Sequence, residues 1–130
     1  MPQKVKSRFY PRSSAAVPKL HRLGRLDLSN TPVSNLAPLA AIPSLGNLTL
    51  NGTKVTNLAP LAALTNLQVL DLDDTRVTDL APLTTLTALG VLNLAGTNVS
   101  DLAPLAALAA LGVLNLAGTK VSAALPTGWP

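Results

Sequence analysis

Hydrophobic positions recur along most of this chain at one fixed interval. Leu28, Leu50, Leu72, Leu94 and Leu116 stand 22 residues apart, and so do Leu26, Leu48, Leu70, Leu92 and Leu114. Leu23, Leu45, Leu67, Leu89 and Leu111 form a third column with the same interval. Thr31, Thr53, Thr75, Thr97 and Thr119 form a fourth, and Val33, Val55, Val77, Val99 and Val121 a fifth. Each unit reads L-x-x-L-x-L-x-x-T-x-V. Within a unit the L-x-L step has period two, which puts its leucines on one side of a short strand. A strand repeated at a fixed interval stacks parallel to its predecessor at about 4.8 Å, so each leucine column becomes a continuous core row.

Four units continue with L-A-P-L, at 36–39, 58–61, 80–83 and 102–105. Before each stands Ser or Thr followed by Asn or Asp, as in Ser34–Asn35 and Thr78–Asp79. Such residues cap the start of a helical turn. Proline suits that first turn, because its missing N–H would have no intrahelical partner there. So short a unit predicts one or two helical turns, partly 3₁₀. Residues 88–100 and 110–122 differ only at Asn98 and Lys120, as expected of a recent duplication or a consensus-like sequence.

From Leu20 to Ser122 the pattern resembles the leucine-rich-repeat family, most closely the 22-residue class of bacterial internalins. The resemblance implies an α/β solenoid: a short parallel β-sheet on the concave face and 3₁₀ or short helical turns on the convex face. Internalin-like units usually carry Asn where this chain carries Thr31 and its equivalents. Asn both donates and accepts, whereas Thr brings a single hydroxyl that can still satisfy turn carbonyls. On this reading residues 1–19 are a basic N-terminal arm, 20–122 are five repeats, and 123–130 are a short plug or tail in which Trp129 folds over Leu125.

Composition narrows the chemistry. Hydrophobic residues make up 48% of the chain, yet the only aromatics are Phe9, Tyr10 and Trp129, so the core is filled by repeated aliphatic layers. Cysteine and glutamate are absent, which removes disulfides, thiolate chemistry and most metal-ligand patterns. The net charge of +4 is unevenly spread. Seven bases, from Lys4 to Arg25, precede the first acid, Asp27, whereas Lys54, Arg76 and Lys120 alone stand against six aspartates from there on. No apolar leader appears in 1–20, which points to the cytoplasm or to a fragment of an exported protein. The uncharged stretches 80–100 and 102–119 score as apolar, but recurring Pro, Asn and Gly argue for repeat coils over membrane spans.

Strand alternation identifies the surface on which a partner would be met. The outward columns are Arg25, Asn47, Val69, Val91, Val113; Asp27, Thr49, Asp71, Asn93, Asn115; and Ser29, Asn51, Asp73, Ala95, Ala117. Arg25, Asp27, Asn47, Thr49, Asn51, Asp71, Asp73, Asn93 and Asn115 are the candidate partner-binding residues. The columns run from charged and amide groups to Val and Ala, and for the Val and Ala end strand packing is the simpler explanation. Asp71, Asp73 and Asp74 are the densest acid cluster, but they lack the further oxygen ligands and glycine loop of a cation site, so a solvated acidic patch is expected and no metal. His21 has no positioned acid, and no nucleophile–base pair or phosphate loop occurs, so catalysis and cofactors are not expected. Asn47, Asn51 and Asn98 open glycosylation triplets that arise from the repeat columns themselves.

The expected function is a non-catalytic protein-binding module whose contacts are weak or depend on avidity. The alternative is a structural piece of a longer array, or a solenoid that self-associates through uncapped repeat ends. The segment Arg8–Arg12 interleaves basic and aromatic side chains, but it carries no nucleic-acid motif, and a solvated tail outweighs nucleic-acid or membrane contact.

Overall fold

The structure, a computed structural model, describes residues 22–121. The segments expected to form a basic arm (1–19) and a C-terminal plug or tail (123–130, with Trp129), and also His21, lie outside the described residues. The rest forms five coils. Strands β1 (Arg25–Asp27), β2 (Asn47–Thr49), β3 (Val69–Asp71), β4 (Val91–Asn93) and β5 (Val113–Asn115) build one parallel sheet in sequence order. Every pairing is shifted by the sequence repeat: Leu26 stands beside Leu48, Leu48 beside Leu70, Leu70 beside Leu92, and Leu92 beside Leu114. Adjoining ladder bonds extend beyond the strands. The N–H groups of Leu28, Leu50, Leu72 and Leu94 donate to the carbonyls of Thr49, Asp71, Asn93 and Asn115 in the next coil.

The convex side carries four 3₁₀ helices, Ala37–Ala41, Ala59–Ala63, Ala81–Thr85 and Ala103–Ala107, each with proline in its first turn. Five residues are all the convex side holds, fewer than an α-helix of two turns. Of the Ser/Thr–Asn/Asp pairs, the second member does the capping. Asn35, Asn57, Asp79 and Asp101 accept the N–H of Ala37, Ala59, Ala81 and Ala103 at 2.9–3.0 Å. Each 3₁₀ helix sends one leucine inward, Leu39, Leu61, Leu83 or Leu105, and these meet the strand leucines and the valine column in a single core.

Two devices close the turn between strand and convex side. The first is a left-handed residue at one repeat position: Asn30, Gly52, Asp74, Gly96 and Gly118 all have φ between 57° and 76°. Asn, Asp and Gly are the residue types that tolerate this region. The choice among them depends on the neighbouring coil. A Cβ on Gly52 would collide with the Asn30 carboxamide oxygen, and one on Gly96 with the Asp74 carboxylate, whereas one on Gly118 would meet nothing closer than 3.5 Å. A side chain at this position thus leans over the next coil and leaves room there only for glycine.

The second device is the threonine column. Thr31, Thr53, Thr75, Thr97 and Thr119 are buried, and each hydroxyl donates to the carbonyl three residues back at 2.7 Å. The bond stays within its own coil, so the single hydroxyl suffices where a two-sided amide would bridge coils. Among the described residues no buried side-chain polar atom lacks a partner.

Two stability predictions follow from these turns. Thr75→Val keeps the shape but strands the Leu72 carbonyl, and urea denaturation should show a loss of about 1–2 kcal/mol. Gly52→Ala should cost about 1–3 kcal/mol, because left-handed strain adds to the clash. Gly118→Ala should cost less, and Asn30→Gly should recover part of the Gly52→Ala loss; equal costs at 52 and 118 would refute the role assigned to the Asn30 side chain.

Candidate functional site

The parallel register assembles the candidate residues into rows. Arg25, Asn47, Val69, Val91 and Val113 form one row across the sheet, and Asp27, Thr49, Asp71, Asn93 and Asn115 another. The third row, Ser29, Asn51, Asp73, Ala95 and Ala117, follows the strands and is tied coil to coil: Asn51, Asp73, Ala95 and Ala117 each present a carbonyl to an N–H of the coil before. All nine predicted residues therefore share the concave strip. Arg25 and Asn115, on the two edge strands, are exposed; the other seven are half-buried between neighbouring coils.

Half-burial has a local cause that strand alternation did not reveal. Side chains of the second row fold back onto their own turn. The Asp27, Asp71, Asn93 and Asn115 side-chain oxygens accept the N–H two residues on, from Ser29, Asp73, Ala95 and Ala117, at 2.9–3.2 Å. Asp27 also accepts the Ser29 hydroxyl at 2.6 Å. These side chains fix the turn that follows the strand, an Asx-turn arrangement, and one face of each is already spent. Thr49 and Asn51 carry no such bond to their own turn. A signal for this lay in the sequence: Asn or Asp two residues before Ser, Asp or Ala, at one repeat position.

The electrostatic centre of the strip is the Asp71–Asp73 pair. A hydrogen bond to Asp71, partial burial and the Asp71 charge together push the Asp73 carboxyl up to about 6, against a smaller opposing effect of a backbone hydrogen bond. Below that value Asp73 holds its proton beside the Asp71 side chain. Asp74, the third member of the acid cluster, instead occupies the left-handed position and leans over Gly96. Among the described residues no three His, Cys, Asp or Glu side chains converge as a metal site would require. Likewise no helix among them is long and apolar enough to cross a membrane; the uncharged stretches are coils of strand and 3₁₀ helix.

A raised folded-state pKa means that the folded state holds the Asp73 proton more tightly than the unfolded chain does. Stability from this pair is fully present below the ordinary carboxylate pKa and is lost as pH rises through about 6. Asp71→Asn keeps the acceptor for the Asp73 N–H, as Asn93 does in the next coil. The variant should melt roughly 1–4 °C above the parent at pH 7.5. The gain should vanish by pH 4; a gain that persists there would show that the carboxyl pair is not its source.

Comparison with known proteins places this geometry. The family model for Leucine Rich repeats (2 copies) matches residues 43–85 and 65–107, half of the chain in all. Among solved structures, an internalin (InlF) of Listeria monocytogenes is similar with a TM-score of 0.75 and 28% identity, over 82% of this chain and 32% of its own. An internalin C2 of the same organism is similar with a TM-score of 0.76 and 36% identity, over 84% of this chain and 48% of its own. The chain thus spans half or less of the length of these relatives. No curated protein matches it significantly in sequence.

Proposed function

Because the chain belongs to the leucine-rich-repeat family and is internalin-like in structure, we propose that it is a non-catalytic module that binds a protein through its concave strip. The observation that carries this reading is the register, which brings Thr49, Asn51, Asp71, Asp73 and Asn93 side by side on one face. The convex helices offer less variety. The exposed residues of the four 3₁₀ helices are Ala and Thr, which have little with which to discriminate partners.

Size sets the strength of such contact. Five strands at about 4.8 Å span roughly 24 Å, and three or four residues of width give a strip on the order of 300 Å². A standard protein interface takes about 800 Å² from each partner. One strip of this chain therefore binds weakly unless other surface or a second module contributes. Aromatic and arginine anchors, which dominate strong interfaces, are missing from it apart from Arg25. The acidic pair Asp71 and Asp73 suits a basic group on the partner.

Substitution with matched controls tests the face. Thr49→Arg and Asn93→Arg should reduce capture of a partner about tenfold or more, while Ala40→Arg and Ala63→Arg on the convex side should leave it within about twofold. Circular dichroism and melting curves establish that all four variants fold. Equal loss from the convex pair, or none from the concave pair, would remove the concave strip as the binding surface.

A further inference from the structure

In the second coil the third row of the concave strip and the left-handed column supply Asn51 followed by Gly52. The chain has nine asparagines, and Asn51 alone precedes glycine; Thr, Leu or Val follows each of the others. A glycine nitrogen is the least hindered in a chain, because no Cβ stands beside it. Here the fold imposes that glycine. Gly52 is left-handed, with φ 72°, and the Asn30 carboxamide lies over it where a Cβ would stand.

The turn around this dipeptide is also the least restrained of its kind. The Ser29, Asp73, Ala95 and Ala117 N–H groups each donate to the Asp or Asn side chain two residues earlier. Thr49 occupies that position in the second coil, and the Asn51 N–H has no such acceptor. The following N–H is held at longer range as well. Gly52 donates to the Asp73 carbonyl at 3.1 Å, whereas Asn30, Asp74 and Gly96 make the equivalent bond at 2.8–2.9 Å. Among the described residues no hydrogen bond ties down the Asn51 carboxamide.

We propose that Asn51 is a self-modifying site: the folded chain deamidates there, and the reaction gives the centre of the concave strip a further carboxylate. The Gly52 nitrogen leaves the Asp73 carbonyl, loses its proton to hydroxide and attacks Asn51 Cγ. A bond forms between that nitrogen and Cγ, the Cγ–Nδ2 bond breaks, and the amide departs as ammonia with a proton from water. Water then opens the five-membered succinimide at either carbonyl. Cleavage of the new bond leaves an ordinary aspartate, whereas cleavage of the original peptide bond leaves isoaspartate with one more methylene in the main chain. Either way the net charge falls by one. The aspartate product carries its carboxylate in the row directly before Asp73, one coil away. The isoaspartate product lengthens a turn whose coil must close on one strand spacing, so it loosens the second coil. The reaction itself does not depend on what the strip binds.

Incubation of the full chain at about pH 7.5, followed by peptide mapping, should show ammonia loss about tenfold or more faster at Asn51 than at any other asparagine. The rate should rise with pH, because the attacking nitrogen has to lose its proton. Thr49→Asn supplies the acceptor that Asn93 supplies in the fourth coil. It should slow the folded chain's conversion roughly twofold to tenfold, the effect of one hydrogen bond on local opening, and leave the rate in urea unchanged. Asn51→Asp should co-elute with one of the two products, and the other should melt below it. Circular dichroism checks that both variants fold. Three results would overturn the proposal: an Asn51 that converts in urea but not in the folded chain, conversion spread evenly over the asparagines, or a folded Thr49→Asn chain that converts as fast as the parent.

Discussion

Each coil of this molecule has to end one strand spacing from where it began, because the parallel ladder joins it to its neighbours at about 4.8 Å on both sides. That spacing determines how much chain fits into a turn and where each residue of it must stand. A leucine in one coil is therefore directly above the leucine 22 positions earlier, and burial of the row is nearly complete from Leu48 to Leu92. Because coils touch only their neighbours, stability is the sum of similar layers and of the contacts between them. Aliphatic side chains of similar size suit such stacking. An aromatic ring in one layer would need a matching gap in the next, and none occurs in the repeats.

The same spacing explains how polar groups are arranged. With strands only three residues long, much of the backbone lies in turns, and turn groups buried between coils have to be satisfied locally. The buried threonine hydroxyls do this on the core side, and the Asn or Asp side chains do it at both ends of the turn that leads from strand to 3₁₀ helix: Asp71 at the end of β3 and Asp79 before the helix. Close stacking also makes the left-handed position a two-coil property. Asn30 and Asp74 are permitted because glycine follows each of them one repeat later.

Most of the architecture is legible from period alone. The leucine and valine columns, the strand positions and the proline-marked 3₁₀ turns can be assigned because each depends on residue type at a fixed interval. The left-handed column is harder to see, since Asn30, Gly52 and Asp74 share no size or polarity; what they share is tolerance of positive φ. The site is less legible still. Asp71 and Asn93 occupy outward positions in any strand reading, but whether an outward amide is free for a partner depends on the rotamer it takes. Here the nearer acceptance by its own turn prevails, and the bond is visible only once Ala95 or Asp73 is placed in space. The shift at Asp73 is equally spatial, because it requires the two carboxyls to meet and to be partly covered.

Regularity has a consequence for function that individual residues do not reveal. A repeat whose coils are interchangeable gives every concave position nearly the same surroundings, so chemical individuality must come from departures from the consensus. Those departures are concentrated in the first three coils, where Arg25, Asp27, Thr49, Asn51, Asp71 and Asp73 stand, while the last two coils repeat Val, Asn and Ala. Polarity along the axis follows: the first three coils carry the chemical variety of the strip, and the last two carry the regularity.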